Sequence, residues 1–408
     1  DDAMLDQMIT AGLEANYDIA EALALVNAAQ AQARAAGAAF RPQAGLSAGP
    51  SGRDERALSD LGDETSSAAF DASLDFAITP DLWGQGRRER EAAISRLNAA
   101  RARLRQATLD TSVAIARNYL TLRGNQRQLE LLRESVALQE KTLKIVNARY
   151  QAGLAPELDV RRAETSVESL RASIPPLEQD LRSARNRLAV LSGAYPGLYE
   201  QALTASAPVP DYGRAFPQSL PLDILNARPD VAEAEENLKE AVAGIGITAA
   251  AYYPQLTLQG QIGLGVSIAS GGTDILIGAL SALINQVLTN GGTRSAAFDA
   301  AKANADAALA RYALTLREAV EEVENALSAL KSSRARQVSL GKAVAASARS
   351  FYQAEILYQR GLISFLNVVD AQRSLANAEQ AMAREQTNYA TLIVDLFAAL
   401  GTDVAAGD

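Results

Sequence analysis

The sequence carries the same pattern twice, about 208 positions apart. Tyr150-Gln151-Ala152-Gly153-Leu154 recurs as Tyr358-Gln359-Arg360-Gly361-Leu362. Phe40-Arg41-Pro42-Gln43 is similarly echoed by Tyr252-Tyr253-Pro254-Gln255. A nearly constant offset over so long a stretch indicates an internal duplication, in which each copy supplies one structural repeat.

The repeats define the expected domain boundaries. We expect a first repeat at 1–193, a second at 229–401 and a C-terminal tail at 402–408. Between the repeats, 194–228 is rich in Pro, Gly and Tyr and has no apolar periodicity, as is typical of a linker. Each repeat is expected to contain a helix, two strands, a very long helix, a short turn and a further helix.

Both long helices carry apolar residues at alternating spacings of four and three. In the second repeat these positions are Leu309, Ala313, Leu316, Val320, Val323, Leu327 and Leu330. Sustained heptads predict coiled-coil packing. A helix from Gln85 to Tyr150 would be roughly 100 Å long at 1.5 Å per residue, and short turns at 151–157 and 359–363 predict antiparallel hairpins. Pro175 and Pro176 are expected to kink the helix that follows the first turn.

Each repeat contains two candidate strand segments, and three of the four alternate in polarity with the period of a β-strand. Residues 68–78 and 256–268 place apolar side chains at even positions and polar ones at odd positions. Residues 43–50 alternate over a shorter span, whereas 276–289 is ambiguous and fits either a strand or a buried helix. Both long runs exceed the ~9–11 residues that a transmembrane strand needs.

Four strands are too few to close a membrane barrel, since the smallest such barrels have about eight. If the strands cross a bilayer, several chains must therefore pool them, because an open edge in lipid leaves backbone groups unsatisfied. In that arrangement the even rows face lipid, and Asp71 and Asp75 face the barrel lumen. The alternative is a soluble two-sheet packing with one hydrated face.

Composition argues against an enzyme. The 408 residues include no Cys and no His, which removes thiolate nucleophiles, histidine acid–base catalysis and zinc clusters. No cofactor or metal is expected. The net charge of -9 provides no basic footprint for nucleic acid. The opening Asp1-Asp2-Ala3-Met4 is not a signal peptide, and we expect that a targeting segment has been removed.

Several segments resemble the TolC-like outer-membrane efflux proteins, particularly the outer-membrane factors of resistance-nodulation-division tripartite pumps. They are Asp81-Leu82-Trp83-Gly84, Ala227-Arg228-Pro229-Asp230-Val231, Ala251-Tyr252-Tyr253-Pro254-Gln255-Leu256 and, most specifically, 358–373. The resemblance implies an α+β membrane protein, a homotrimer whose four strands per chain form one 12-stranded β-barrel, continued by a periplasmic α-helical coiled-coil barrel. It also implies two partners, a periplasmic adaptor (membrane fusion protein) and an inner-membrane pump, and a location in the outer membrane.

The resemblance further implies a periplasmic gate near the hairpin turns. Asp159 and Asp370 are placed at matching family positions, where three-fold symmetry would form rings of carboxylates. Tyr358, aligned with Tyr150, matches a position that links neighbouring helices in the closed state. Asn367 stands where an acidic ring residue often occurs, and Ile363 stands where a basic gate partner can occur. The alternative for the two aspartates is an acidic residue favoured by the helix dipole at a helix start.

The turns themselves match the family's adaptor-docking motif. The matching residues are Gly153, Leu154, Arg360, Gly361 and Leu362. Their alternative explanation is turn chemistry, with glycine as the left-handed cap and leucine packing beneath it.

Three functions follow from these features. The first is an exit duct that passively conducts small molecules such as drugs when pump and adaptor open it. The second is an outer-membrane duct for type I protein secretion, and the third is a periplasmic coiled-coil adaptor or scaffold that does not enter a membrane. The long alternating strands favour a duct, and the linker with the 227–231 motif favours the pump branch.

Overall fold

The computed structural model describes residues 2–56, 64–210, 228–268 and 274–401. Within these ranges the chain forms eight α-helices, four β-strands and one short 3-10 helix. In chain order they are α1 Ala3–Ala15, α2 Tyr17–Ala35, the 3-10 turn Ala38–Phe40, β1 Gln43–Arg56, β2 Glu64–Ile78, α3 Gln85–Gln151, α4 Glu157–Ala172, α5 Ile174–Leu191, α6 Pro229–Ala250, β3 Gln255–Ser267, β4 Ile275–Asn285, α7 Thr293–Gln359 and α8 Phe365–Ala399.

The chain divides into two compact units. The strand unit comprises Leu25–Arg101 and Glu233–Leu314 and contains all four strands. The helical unit comprises Asp1–Ala24, Ala102–Ala232 and Thr315–Asp408 and contains both hairpin turns.

The strands form one antiparallel sheet in the order β1-β2-β3-β4. Register aligns the even-numbered residues of neighbouring strands, for example Leu46 with Leu74, Leu74 with Ile262 and Leu264 with Leu276. One face is therefore apolar along its whole width. In the isolated chain many of the side chains on this face are exposed, reaching 87% for Leu280.

The fourth strand resolves the ambiguity of the sequence. Residues 276–289 were compatible with a buried helix, yet 275–285 form a strand that pairs with β3. The ambiguity arose because β4 is apolar on both faces: Leu276 and Leu280 lie on the apolar face, while Ile277 and Leu283 lie on the other. The first strand is also longer than its alternating segment, continuing to Arg56.

The two long helices match in length. Helices α3 and α7 each contain 67 residues, and each ends at one of the two short turns predicted at 151–157 and 359–363. After the first turn, the helix is interrupted at Ser173, so α4 and α5 are separate and Pro175 and Pro176 occupy the first turn of α5. The expected interruption is confirmed. A proline in the first turn of a helix removes no intrahelical hydrogen bond, so α5 begins at these residues instead of continuing α4.

The helical unit contains a core built from α1, α3, α5 and the start of the linker. Its largest buried side chains include Met8, Ile115, Tyr119 and Leu188. Tyr119 donates to the Asp2 carboxylate at 2.6 Å and accepts from Arg123 at 2.9 Å. Burial, reinforced by the bond to Asp2, raises the pKa of Tyr119 to about 12.

Some expected segments lie outside the described residues. They are the C-terminal tail 402–408 and, within the linker, 211–227. Among the helices of the described residues, none has a stretch both long and apolar enough to cross a membrane.

Candidate gate and docking turns

Both hairpin turns end their long helices with the same backbone motif. In the first, the Gly153 amide donates to the Tyr150 carbonyl at 2.9 Å and the Leu154 amide donates to the Arg149 carbonyl at 2.8 Å. In the second, Gly361 and Leu362 donate to the carbonyls of Tyr358 and Leu357, each at 2.9 Å. This is the Schellman motif, and it requires the positive φ of 73° at Gly153 and 78° at Gly361.

The two leucines of these motifs point into solvent. In a Schellman turn, the residue after the glycine commonly packs back against the helix. Here Leu154 is 66% exposed and Leu362 is 67% exposed, and Arg360 is exposed as well. Turn chemistry therefore explains the glycines but does not explain why both leucines are exposed.

A shared apolar cluster joins the two hairpins near their turns. Its buried members are Val146, Val160, Ala163, Phe351, Ala354, Tyr358, Phe365, Val368 and Val369. The cluster draws on α3, α4, α7 and α8, so both hairpins contribute. Ile363 packs against it as a half-buried side chain, which accounts for an apolar residue where a basic one can occur.

The two aligned tyrosines have different environments. Tyr358 is 5% exposed, and its ring lies 5.8 Å from the ring of Phe365, centroid to centroid. Tyr150 is 42% exposed. Only Tyr358 therefore sits within the cluster that joins the hairpins, and the two positions are not interchangeable.

Arg149, which the sequence did not single out, contacts Tyr358 directly. Its Nη1 atom donates to the main-chain carbonyls of Tyr358 at 3.0 Å and Gln359 at 3.3 Å. Its guanidinium carbon lies 4.8 Å from the centroid of the Tyr358 ring, within the range of a cation–π contact. A basic residue beside the Tyr-x-x-Gly-Leu motif was the only signal available in the sequence.

Charges around Tyr358 act on its phenol in opposite directions. Burial raises the pKa of Tyr358, the positive charge of Arg149 lowers it and the negative charge of Asp159 raises it, with a net upward shift. The hydroxyl is buried and has no hydrogen-bond partner among the described residues. The uncharged phenol is therefore the form present at physiological pH.

The two candidate gate aspartates do not occupy equivalent positions. Asp159 is the third residue of α4, where its carboxylate lies near the positive end of the helix dipole, and it is half-buried. The third residue of α8 is Asn367, whereas Asp370 lies one turn later and is exposed. Within the chain, the residue that repeats Asp159 is therefore Asn367 and not Asp370.

Asn367 has a local structural role. Its side-chain Nδ2 atom donates to the Ser364 Oγ at 3.2 Å, and its backbone N–H donates to the Ser364 carbonyl at 3.2 Å. Both hydrogen bonds hold Asn367 against Ser364 at the start of α8, and the asparagine side chain adds no charge there. Asp370 is the exposed carboxylate that α8 contributes in this region.

Asp71 and Asp75 lie on the polar face of the sheet. Asp75 accepts from Ser73 Oγ at 3.0 Å and from Gln261 Nε2 at 2.9 Å. Ser73 in turn shares a 2.8 Å hydrogen bond with Ser47, so the network crosses β1, β2 and β3. Within the described residues, no cluster of acidic side chains is arranged to hold a metal ion.

Comparison with known proteins agrees with this architecture. A family model described as outer membrane efflux protein matches residues 9–194 and 220–402. The chain is 31% identical over 393 residues to nodulation protein T of Rhizobium leguminosarum bv. viciae, covering 94% of this chain and 78% of that protein. It is 30% identical over 404 residues to the pyoverdine export outer membrane protein OpmQ of Pseudomonas putida, covering 97% and 85% of the two.

Solved structures extend the likeness to the fold. The outer-membrane channel OprN superimposes with a TM-score of 0.93 at 30% identity, covering 98% of this chain and 90% of that one. Sequence and fold therefore agree over nearly the whole length, and the chain belongs to the outer membrane efflux protein family.

Proposed function

We propose that this outer-membrane efflux channel acts as a homotrimer in which three sheets join into one 12-stranded barrel. The single observation that carries the proposal is the sheet itself. It presents one continuous apolar face to solvent, and among the described residues no further strand pairs with the outer edges of β1 and β4. An apolar sheet with open edges is stable in lipid only when neighbouring copies pair those edges.

Helix α2 supports the same assembly. Of its 19 residues only Val26 is buried, while Tyr17, Leu23 and Leu25 are 79%, 49% and 55% exposed. A helix with so little intrachain packing is expected to bury its apolar surface against another copy of the chain. The long helices of three copies would form the wall of a periplasmic conduit.

The matching lengths of α3 and α7 support an origin by duplication. We place the repeats at 1–193 and 229–401 with a linker at 194–228. Two similar halves per chain in a trimer give a conduit with an approximate six-fold repeat, although the halves differ at residues such as Asp159 and Asn367.

In this duct the polar face of the sheet lines the lumen, with Asp71 and Asp75 among its wall residues. The hairpin turns form the periplasmic gate. Three-fold symmetry converts Asp159 and Asp370 into rings of three carboxylates, which favour cations and repel anions at close quarters. The exposed leucines 154 and 362, with Arg360 beside them, are the docking surface for a periplasmic adaptor.

The cargo is proposed to be small molecules delivered by an inner-membrane pump of the resistance-nodulation-division type. Relatives covering nearly all of this chain are named for pyoverdine export, toluene efflux and antibiotic efflux. These names favour small-molecule export over protein secretion. Members of the family are channels, which agrees with a duct that has no catalytic role.

Planar-bilayer conductance of the purified protein tests the gate. We expect a small, cation-preferring conductance that increases in Asp370→Ala, because that substitution removes a ring of three carboxylates. Asp180→Ala, at an exposed acidic residue of α5, serves as the charge control and should behave like the parent. Equal, anion-selective conductance in the parent and Asp370→Ala would remove Asp370 from the gate.

A further inference from the structure

We infer that Arg149 is the latch that fastens the second hairpin to the first and holds the gate closed. The inference rests on the proposed gating function and assigns it a residue. Arg149 belongs to the last turn of α3, yet its hydrogen bonds go to the end of α7. A single side chain thereby joins the tips of the two hairpins.

The chemistry of the contact suits a latch. The last carbonyls of a helix lack intrahelical partners and carry the negative end of its dipole. Arg149 places a permanent positive charge against those carbonyls of α7 and also covers the Tyr358 ring. Its Nη2 atom lies 3.7 Å from the position that a Cβ atom would take on Gly361, so the guanidinium reaches under the second turn itself.

The first hairpin contacts the end of the second in this way, but among the described residues the second makes no equivalent contact to the first. The position that repeats Arg149, 208 residues later, is Leu357, which is 37% exposed and cannot donate to the end of α3. The turn of the first hairpin is therefore stabilised by its own backbone hydrogen bonds, whereas the turn of the second is also stabilised by Arg149 of the first hairpin. We expect the second hairpin to move when the latch opens.

The latch also supplies the positive charge that position 363 lacks. Ile363 contributes an apolar side chain to the cluster that joins the hairpins, so the second turn has no basic residue of its own at that point. The buried Nε atom of Arg149 has no partner in the described residues. A buried donor left unpaired lowers the free energy needed to pull the arginine out, as a reversible contact requires.

Conductance of Arg149→Ala in planar bilayers tests the latch. We expect the ratio of open to closed channels to rise roughly tenfold, the size of effect expected from losing charge-assisted hydrogen bonds. Arg149→Lys keeps the charge but loses the forked donor and the planar stacking, and should lie between the parent and Arg149→Ala. Arg161→Ala is the matched control, because Arg161 pairs with Glu157 and Glu164 of its own helix.

A second measurement separates a latch from a purely structural arginine. The chain has no cysteine, so spin labels at Ala152→Cys and Arg360→Cys are the only labels in the protein and report the spacing of the two turns within and between subunits. We expect Arg149→Ala to lengthen and broaden that distance while the helical content stays at the parent value.

The outcomes distinguish the latch from the gate. Unchanged conductance and label distance in Arg149→Ala, with increased conductance in Asp370→Ala, would overturn the latch and leave the gate standing. Lost helical content without a change in conductance would also overturn it, by making Arg149 a folding residue. An increase in Arg149→Ala but not in Asp370→Ala would support the latch and remove the aspartate ring.

Discussion

The backbone of Gly124 in α3 lies directly against the side chain of Thr387 in α8. A Cβ atom built on Gly124 would lie 2.4 Å from the Thr387 Oγ1 atom and 3.0 Å from its Cβ atom. Real Cβ contacts are essentially never that short, so a glycine at 124 is what allows the two helices to approach here. The contact joins the long helix of the first hairpin to the returning helix of the second.

We predict that Gly124→Ala destabilises the protein by about 1–3 kcal/mol, the usual cost of overpacking. Chemical unfolding followed by circular dichroism would measure it. Adding Thr387→Ala should restore part of the loss, because it removes the two nearest atoms but leaves the Cβ. The control is Gly341→Ala in α7, where nothing lies within 4 Å of the added Cβ; it should stabilise by about 0.5–1 kcal/mol. Equal effects at both glycines would contradict the close approach.

The ion pair between the buried Arg228 and Asp230 predicts that the free energy of unfolding depends on pH. The Arg228 side chain is 7% exposed and lies 2.7 Å from carboxylate oxygens of both Asp230 and Glu322, and it donates to the Ala399 carbonyl at 2.5 Å. Burial alone would raise the pKa of Asp230, but the hydrogen bonds and charge of Arg228 outweigh it and bring the pKa below 3.8.

Because the folded-state pKa of Asp230 is depressed, its contribution is fully present above pH 3.8 and is lost as pH falls through the folded-state value. We predict that Asp230→Asn lowers the free energy of unfolding at pH 7, and that the difference from the parent shrinks below pH 4. Paired unfolding curves across pH 3–7 would measure this. A difference independent of pH would mean that Asp230 acts through packing and not through its charge.

The regular elements could be predicted from the sequence because their signals are periodic. The heptads of α3 and α7 and the alternation of β2 and β3 depend only on which face of an element is buried. The character of β4 could not be decided, since a strand with apolar residues on both faces has no period. Pairing of Leu264 with Leu276 in the sheet settles it.

The gate residues were harder to predict, because the differences between the repeats depend on tertiary contacts. Tyr150 and Tyr358 are equivalent in sequence, but only Tyr358 meets Phe365 and Arg149. The latch arginine carries no motif of its own, since its partners are main-chain carbonyls about 209 residues away. Contacts to the backbone leave no residue-type signature at the other end.

A buried carboxylate is predicted to stabilise the second hairpin. Glu385 of α8 is 4% exposed, forms an ion pair of 3.2 Å with Arg336 and accepts a hydrogen bond from Ser333 of α7. The first hairpin has Leu177 at the position 208 residues earlier. Without the Ser333 hydroxyl, Glu385 keeps its contacts to Arg336 and Asn388 but loses one of the donors to a buried carboxylate.

We therefore expect Ser333→Ala to cost about 1–3 kcal/mol, measured as the change in free energy of unfolding. Combining it with Glu385→Leu should cost less than the sum of the two single changes, because the apolar pair leaves no hydroxyl or carboxylate buried without a partner. Strict additivity in this double-mutant cycle would place the two side chains out of contact.

The neighbouring residues Leu280 and Ser281 provide a direct test of the sheet's orientation. Leu280 pairs with Gly260 on the apolar face, and Ser281 pairs with Gln259 on the polar face. If the apolar face meets lipid, Leu280→Arg places a charge in the bilayer at a cost of about 2–4 kcal/mol near the midplane. Ser281→Arg introduces the same side chain one residue away, where the proposed lumen is hydrated. We expect Leu280→Arg to reduce assembled protein in isolated outer membranes severalfold, and Ser281→Arg to assemble like the parent but with a lower cation preference in bilayers. The reverse result would require the two faces of the sheet to be exchanged, with Asp71 and Asp75 in lipid.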